Sequence, residues 1–456
     1  METERPVLEE VLSIHNFNYN GQKQVSEEWV SVYDGTAQDY DRSNSVALDT
    51  SGNVYVTGYS HGGGSFFDCT TIKYDRYGNE LWVVTYNGPG NYSDRASDIQ
   101  VDDESNVYIT GGSYSNETDF DFVTIKYDKN GNELWVARYD GPGSGYDFAS
   151  SLAVDELGNV YISGYAWNGE DPDYTTIKYD ENGNELWIAV YDGPINGSDY
   201  AEILARDPEG NIYVTGRSPG AGTLTDFATI KYDPDGNELW VMRFDGPGGR
   251  TDFPTGMDVD TSGCVYVTGY TYSIQSKWDY ATVKYETDGS ELWRHTHNGP
   301  ANGNDYARAV TVDQEGNAYV TGSVNTNWIY HDYATIKYDT DGNELWISYY
   351  DGSTQGAETP NAIALDAEGN IYVTGDSRGT GIGSDFATVK YDTEGNEEWV
   401  IRYNGEADDN DHVEAMALDE NGNLYLTGHS WNGISNDYVT IKYNQRKPCH
   451  KIPVRF

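Results

Sequence analysis

Cysteine is scarce: three stand in 456 residues, and Cys69, Cys264 and Cys449 lie far apart. They form neither a CxxC pair nor an evenly paired framework. That excludes a disulfide-stapled fold and a structural zinc centre and leaves packing to supply stability. Basic residues are also few, 28 Lys and Arg against 75 Asp and Glu, for a net charge of −47. Phosphate backbones are held by clustered cationic side chains, so a nucleic-acid partner is excluded and anionic polymers are disfavoured. Long apolar runs are missing too. Gly, Asn and Asp interrupt every one well short of the ~18 residues that a bilayer helix needs, so no transmembrane segment is expected. The opening METERPVLEEVLSIHNF carries acid where a signal peptide begins basic, and no signal peptide is legible.

What is present is aromatic and glycine-rich. The 40 Tyr, 12 Trp and 11 Phe exceed what a solvated acidic coil carries, so the chain folds. With 51 Gly and only 4 Met, long helices are disfavoured and a β protein with many tight turns is expected.

Internal repeats decide the architecture. GN-x-YVTG and its variants place tyrosines at 55, 108, 161, 213, 266, 319, 372 and 425, a step of 52 or 53 residues. D-[FY]-x-T-[IV]-KY places lysines in phase from Lys73 to Lys442, and GNELW places tryptophans from Trp82 to Trp399. The third string has seven copies, and EEWVSVYDG supplies an eighth at Trp29, ahead of the first tyrosine. Each unit reads as four strands: A ending in AVD, B as N-x-YVTG, C as D-[FY]-AT-[IV]-KYD, and D as NELWVxRYDG. A period near 50 residues with four strands per unit marks a propeller. The expectation is an all-β, eight-bladed β-propeller, its ring closed by an N-terminal strand at Trp29–Asp34 pairing with the C-terminal blade. The domains are a 1–28 extension, a 29–444 propeller and a basic 445–456 tail.

The D-x-x-G-N links between A and B and between C and D read as tight hairpins, with Asp opening a type I turn and Gly in the left-handed position. DPDGNE and DTDGNE resemble fragments of calcium loops but stop short of the full pattern, and turn chemistry alone accounts for them. Counting outward from the turn sets Lys73 opposite Glu80, which predicts a cross-strand ion pair in every C/D hairpin.

AVDxxGNxYVTG followed by DYATIKYDxxGNELW resembles the SBBP family of bacterial and archaeal β-propeller repeats, over Trp29 to Asn444. The family name denotes seven blades, whereas eight units are counted here. The resemblance implies a propeller in an extracellular or surface-attached protein with no general activity, the cytoplasm being the alternative location. A weaker likeness, of KYDxxGNELW to the tryptophan-docking motif of quinoprotein propellers, supports eight-blade packing. The vicinal cysteines of many quinone enzymes are absent, so no cofactor is carried over.

Short, invariant A–B and C–D turns share one face of the disc; long, variable B–C and D–A loops share the other. Binding residues belong on variable loops over a rigid scaffold. Eight of the 12 Trp are framework residues, and the other four, Trp167, Trp278, Trp328 and Trp431, all fall in B–C loops. These rings either stack on a sugar or anchor a protein partner, or they pack over the blade edges. Tyr330 and His331 beside Trp328 make the most site-like local string. A second candidate set is the carboxylate at the head of each strand A: Asp41, Asp94, Asp147, Asp199, Asp252, Asp305, Glu358 and Asp411. These either hold a hard cation such as Ca²⁺ or accept backbone N–H bonds from neighbouring loops. The Asp heading each strand C, Asp68 through Asp437, reads as structural. His61, His331, His412 and His429 lie in variable loops without a Ser or Cys motif, so no catalytic constellation is legible. The expectation is a monomeric, non-catalytic scaffold engaging a carbohydrate or protein through its loop-rich face, with no cofactor beyond Ca²⁺. The alternative is a polysaccharide lyase or hydrolase assembled from loops of several blades.

Overall fold

A computed structural model of the chain describes residues 25–445, apart from 38, 65, 353–355, 380 and 382. Residues 446–456 of the proposed 445–456 tail and 1–24 of the 1–28 extension lie outside the described residues. Those residues form eight four-stranded antiparallel sheets and no helix. Blade 1 shows the pattern: A Asp41–Leu48, B Val54–His61, C Phe67–Tyr74, D Glu80–Tyr86. Strands A of blades 2 to 8 begin at Asp94, Phe148, Tyr200, Asp252, Tyr306, Glu358 and Asp411. Blade 8 ends at strand C, Asn436–Gln445, and takes its fourth strand from the N-terminus, Val25–Tyr33, with Val30 opposite Ile441 and Tyr33 opposite Tyr438. The expected closure is therefore present. Strands A of neighbouring blades contact one another all the way round, so they enclose the axis and strands D form the rim.

Strands B and C are apolar on both sides because each blade is packed between two others. Val54, Tyr55, Val56 and Ile72 are fully buried, and their counterparts in every blade match them. The hairpins form as the sequence predicts. In the A–B turn of blade 1, Asp49 Oδ1 accepts the Ser51 and Asn53 N–H groups, and its other oxygen takes Asn53 Nδ2 and the Tyr55 hydroxyl, while Gly52 sits at φ +79.

Strand D carries the contact between blades. The Trp82 ring lies against Gly131 in the next blade's C–D turn, where a Cβ would come within 3.0 Å of the indole, and Trp82 Nε1 donates to Lys129 O at 3.1 Å. The same pair of contacts joins Trp29 to Gly78 and Arg76 O, so the N-terminal strand docks on blade 1 as any other blade would. The Lys–Glu expectation is corrected here. A bulge in each C–D ladder sets Lys73 opposite Trp82 and Tyr74 opposite Glu80. The buried Lys73 ammonium instead donates to Lys129 O at 3.0 Å and lies 4.8 Å from the centre of the Tyr55 ring. Lys390 and Lys442 do meet a glutamate, but it is the one just before the tryptophan, Glu398 at 3.2 Å and Glu28 at 2.8 Å.

Candidate functional site

The pleat puts all B–C and D–A loops on one face, and this face is unusually apolar at its tips. Phe66, Tyr92, Tyr146, Ile195, Leu224, Ile274, Trp328, Ile329 and Ile434 are all exposed there. Inside this crown, at the loop end of the axis, strands A and B present one level of cross-strand pairs that differs in every blade. From blade 1 to blade 8 the pairs are Arg42–Tyr59, Arg95–Gly112, Phe148–Tyr165, Tyr200–Arg217, Phe253–Tyr270, Tyr306–Ser323, Thr359–Asp376 and His412–His429. One residue earlier on strand B stands a repeated Gly in every blade.

Across blades 2 to 6 this level is an arc of rings. Phe120 lies 4.9 Å from Tyr146, which stacks at 6.2 Å on both Phe148 and Tyr165; Tyr165 meets Tyr200 edge-on at 4.8 Å. The Arg217 guanidinium sits 4.6 Å over Tyr200 and 5.6 Å over Phe253, held by Glu202 at 2.9 Å. Phe253, Tyr270, Trp278 and Tyr306 continue the arc with centroids 5.0–6.5 Å apart, and His331 ends it 6.1 Å from Tyr306. Burial pushes the Glu202 carboxyl up to about 7 against the pull of Arg217.

Blades 7, 8 and 1 supply the opposite, polar pole. His412 Nδ1 is 2.8 Å from Asp376 Oδ2, and the same aspartate accepts the Val413 N–H. Its hydrogen bond to Asp376 raises the His412 pKa, whereas burial, with the nearby His412 and Arg42 charges, drives buried His429 down to about 3. His429 is therefore the less basic of two histidines whose rings lie 5.0 Å apart. Arg42 bridges to Glu414 at 2.9 Å, and Tyr40 stacks on Tyr59 at 6.2 Å. Arg42 and Arg217 are thus each paired with a glutamate at the mouth, while the Arg95 guanidinium lies 5.3 Å from the Tyr59 ring centre and 5.2 Å from that of Phe67.

The eight head carboxylates are buried, and most are committed locally. Asp41 accepts the Gly35 and His61 N–H groups, Asp147 those of Gly141 and Trp167, and Asp305 those of Gly299 and Asn325. Asp94, Asp199, Asp252 and Asp411 each accept the N–H of the glycine six residues earlier. Each closes its D–A loop. Glu358 differs: among the described residues neither oxygen has a partner within hydrogen-bond geometry.

The four loop tryptophans are not gathered into one site. Trp278 joins the arc of rings. Trp328 stands 65% exposed at a loop tip with Lys277 Nζ 5.5 Å from its ring, away from the axis level. Trp167 is half-buried, its ring packed where a Cβ on Gly145 would lie 2.5 Å away. Trp431, also half-buried, donates its N–H to Asn410 O. Tyr330 is half-buried below Trp328, and His331 holds Asn304 O at 2.9 Å. The axial pairs escaped a search of loops because they lie at strand ends. The signal that finds them is variation at two fixed positions of the repeat, the residue after the head carboxylate and the one after YVTG.

The family model described as SBBP, beta-propeller repeat, matches residues 31–66, 135–170, 240–274, 299–327 and 346–383. An uncharacterized WD repeat-containing protein of Acanthamoeba polyphaga mimivirus is 24% identical over 26% of this chain, which spans only about a tenth (11%) of that protein. Among solved structures, Sqt1 from Chaetomium thermophilum superposes with a TM-score of 0.58 at 9% identity, covering 93% of this chain and all of that one. The polysaccharide lyase Uly1 gives 0.46 at 12% identity, with 79% and 92% covered. These likenesses concern the fold alone.

Proposed function

We propose, from the premise that this chain is built of SBBP β-propeller repeats, that it is a non-catalytic binding propeller taking a carbohydrate at the axial mouth of its loop-rich face. The observation that carries this reading is the arc of rings from Phe120 to Tyr306, interleaved with Arg217. Flat aromatic faces suit the C–H faces of sugar rings, and a guanidinium suits a hydroxyl or carboxylate. All eight blades come from one chain, so a monomer completes the site. With this reading goes an extracellular or cell-surface location. A glycan array followed by analysis of the bound sugar tests the reading: intact oligosaccharide is expected, and no binding to any glycan refutes it.

The polar pole favours a second reading, a polysaccharide lyase or hydrolase. His412 oriented by Asp376, next to Arg42, is a base beside a cationic stabiliser. Fragments released from the bound glycan and lost in His412→Ala would establish that reading against simple binding. A protein partner is the third, favoured by the exposed Trp328–Ile329 tip. It predicts that the array stays blank while Trp328→Ala abolishes a protein interaction.

A further inference from the structure

The Glu358 carboxylate makes blade 6 unlike the others. Asp332 heads strand C, Asp351 follows strand D, and Glu358 heads strand A of blade 7. One carboxylate oxygen from each lies within 4.8 Å of the other two. About 4.8 Å is the widest separation of two oxygens that each sit ~2.4 Å from one calcium ion. Glu358 is fully buried and among the described residues neither oxygen has a partner within hydrogen-bond geometry, whereas its seven aspartate counterparts each take at least the N–H of their loop glycine.

An unsatisfied buried carboxylate beside two more is costly unless a proton or a cation neutralises it. The Arg378 backbone N–H faces the carboxylate without reaching hydrogen-bond geometry. Arg402 is near, but its guanidinium is engaged by Tyr350, Ser377 and Asp385. Access exists as well: Asp351 is exposed and, with Tyr349, Tyr350, Gly352 and Arg402, lines a cavity of about 500 Å³. Four other blade junctions bring three carboxylates together, but there the head carboxylate is held by backbone N–H groups.

We propose that Asp332, Asp351 and Glu358 form a binding site for a hard divalent cation of the calcium class, entered from the cavity beside Asp351. Three anionic oxygens with no nitrogen or sulfur donor suit calcium over zinc or copper. The ion ties strand C and the end of strand D of blade 6 to strand A of blade 7, a structural clamp independent of glycan binding.

The test is calcium titration by calorimetry, with thermal unfolding in EDTA and in calcium, on the full chain and on Glu358→Gln, Glu358→Asp and Asp351→Asn. Wild type is expected to take one more equivalent of calcium than Glu358→Gln and to melt higher with calcium. Asp351→Asn, which alters an exposed side chain, should weaken that equivalent at least tenfold and leave the EDTA melting point unchanged. Glu358→Asp should regain the loop N–H bonds, melt higher than wild type in EDTA and lose the calcium increment. The proposal is overturned if wild type shows neither heat nor shift with calcium, or if Glu358→Gln and Asp351→Asn retain the full stoichiometry and affinity.

Discussion

Two tryptophans flank the seam where the chain's ends meet, and the same conservative change should affect them in opposite directions. Trp29 on the N-terminal strand rests on Gly78 and donates its indole N–H to Arg76 O at 3.2 Å. Trp399 in blade 7 faces blade 8, whose fourth strand comes from the other end of the chain. Among the described residues no C–D hairpin stands there to offer a turn glycine and a carbonyl. Its buried Nε1 has no partner among the described residues, and Lys390, whose counterparts in other blades cap that turn, reaches Gln445 Oε1 instead. Trp→Phe keeps most of the apolar contact and deletes the N–H. At Trp29 it removes one of the two donors to the Arg76 carbonyl, leaving the Lys442 ammonium at 3.0 Å, and costs about 1 kcal/mol, plus part of the lost ring area. At Trp399 it removes an orphaned donor whose burial costs ~1–3 kcal/mol, which offsets the lost area and leaves the variant neutral or more stable than wild type. Thermal unfolding of the two variants with the wild type, at one concentration and scan rate, gives the ordering. The reasoning fails if Trp399→Phe destabilises as much as Trp29→Phe.

Three further outcomes follow from the geometry. Gly131 sits at φ +82 with Trp82 against it, so Gly131→Ala should cost at least 1 kcal/mol in denaturant unfolding; a change under 0.3 kcal/mol would remove the docking contact from the account. Burial raises the carboxyls of Asp41, Asp199, Asp252 and Asp411 to about 6 and of Asp147 to about 7, above their ordinary 3.8. The folded state then binds more protons than the unfolded one between about pH 4 and 7, so stability falls as pH rises through that window. The hairpin carboxylates Asp75, Asp128 and Asp392 are lowered by their Asn and backbone partners, so their contribution is lost only below about pH 4. Melting points should be higher at pH 5 than at pH 7.5, and the reverse order would contradict the burial. Finally, Lys73→Met should cost more than Glu80→Gln, because the ammonium caps Lys129 O and Glu80 is not its partner; equal losses would restore the ion-pair reading.

The fold was legible because eight copies of one unit make each strand, turn and docking tryptophan visible as a fixed phase. What the repeat concealed was register. A bulge after every Lys moves the ladder by one residue, and counting from the turn cannot detect it. The loop tryptophans were conspicuous by composition, yet Trp167 packs on a neighbouring loop and only Trp278 joins the axial rings. The His412–Asp376 pair was illegible for a different reason. Its members sit 36 residues apart in different blades, and ring closure alone brings them to Arg42 near the N-terminus. Glu358 was visible as the one departure from seven aspartates, but its unsatisfied state appears only in three dimensions.

Isothermal titration of the best glycan from the array into wild type and into Phe148→Ala/Tyr165→Ala tests the axial mouth most directly, with Leu157→Ala on the hairpin face as control. Stacking on these two rings predicts an affinity at least tenfold weaker in the double variant, with folding and the Leu157→Ala affinity unchanged. Unchanged affinity in a folded Phe148→Ala/Tyr165→Ala protein would contradict the assignment of the site.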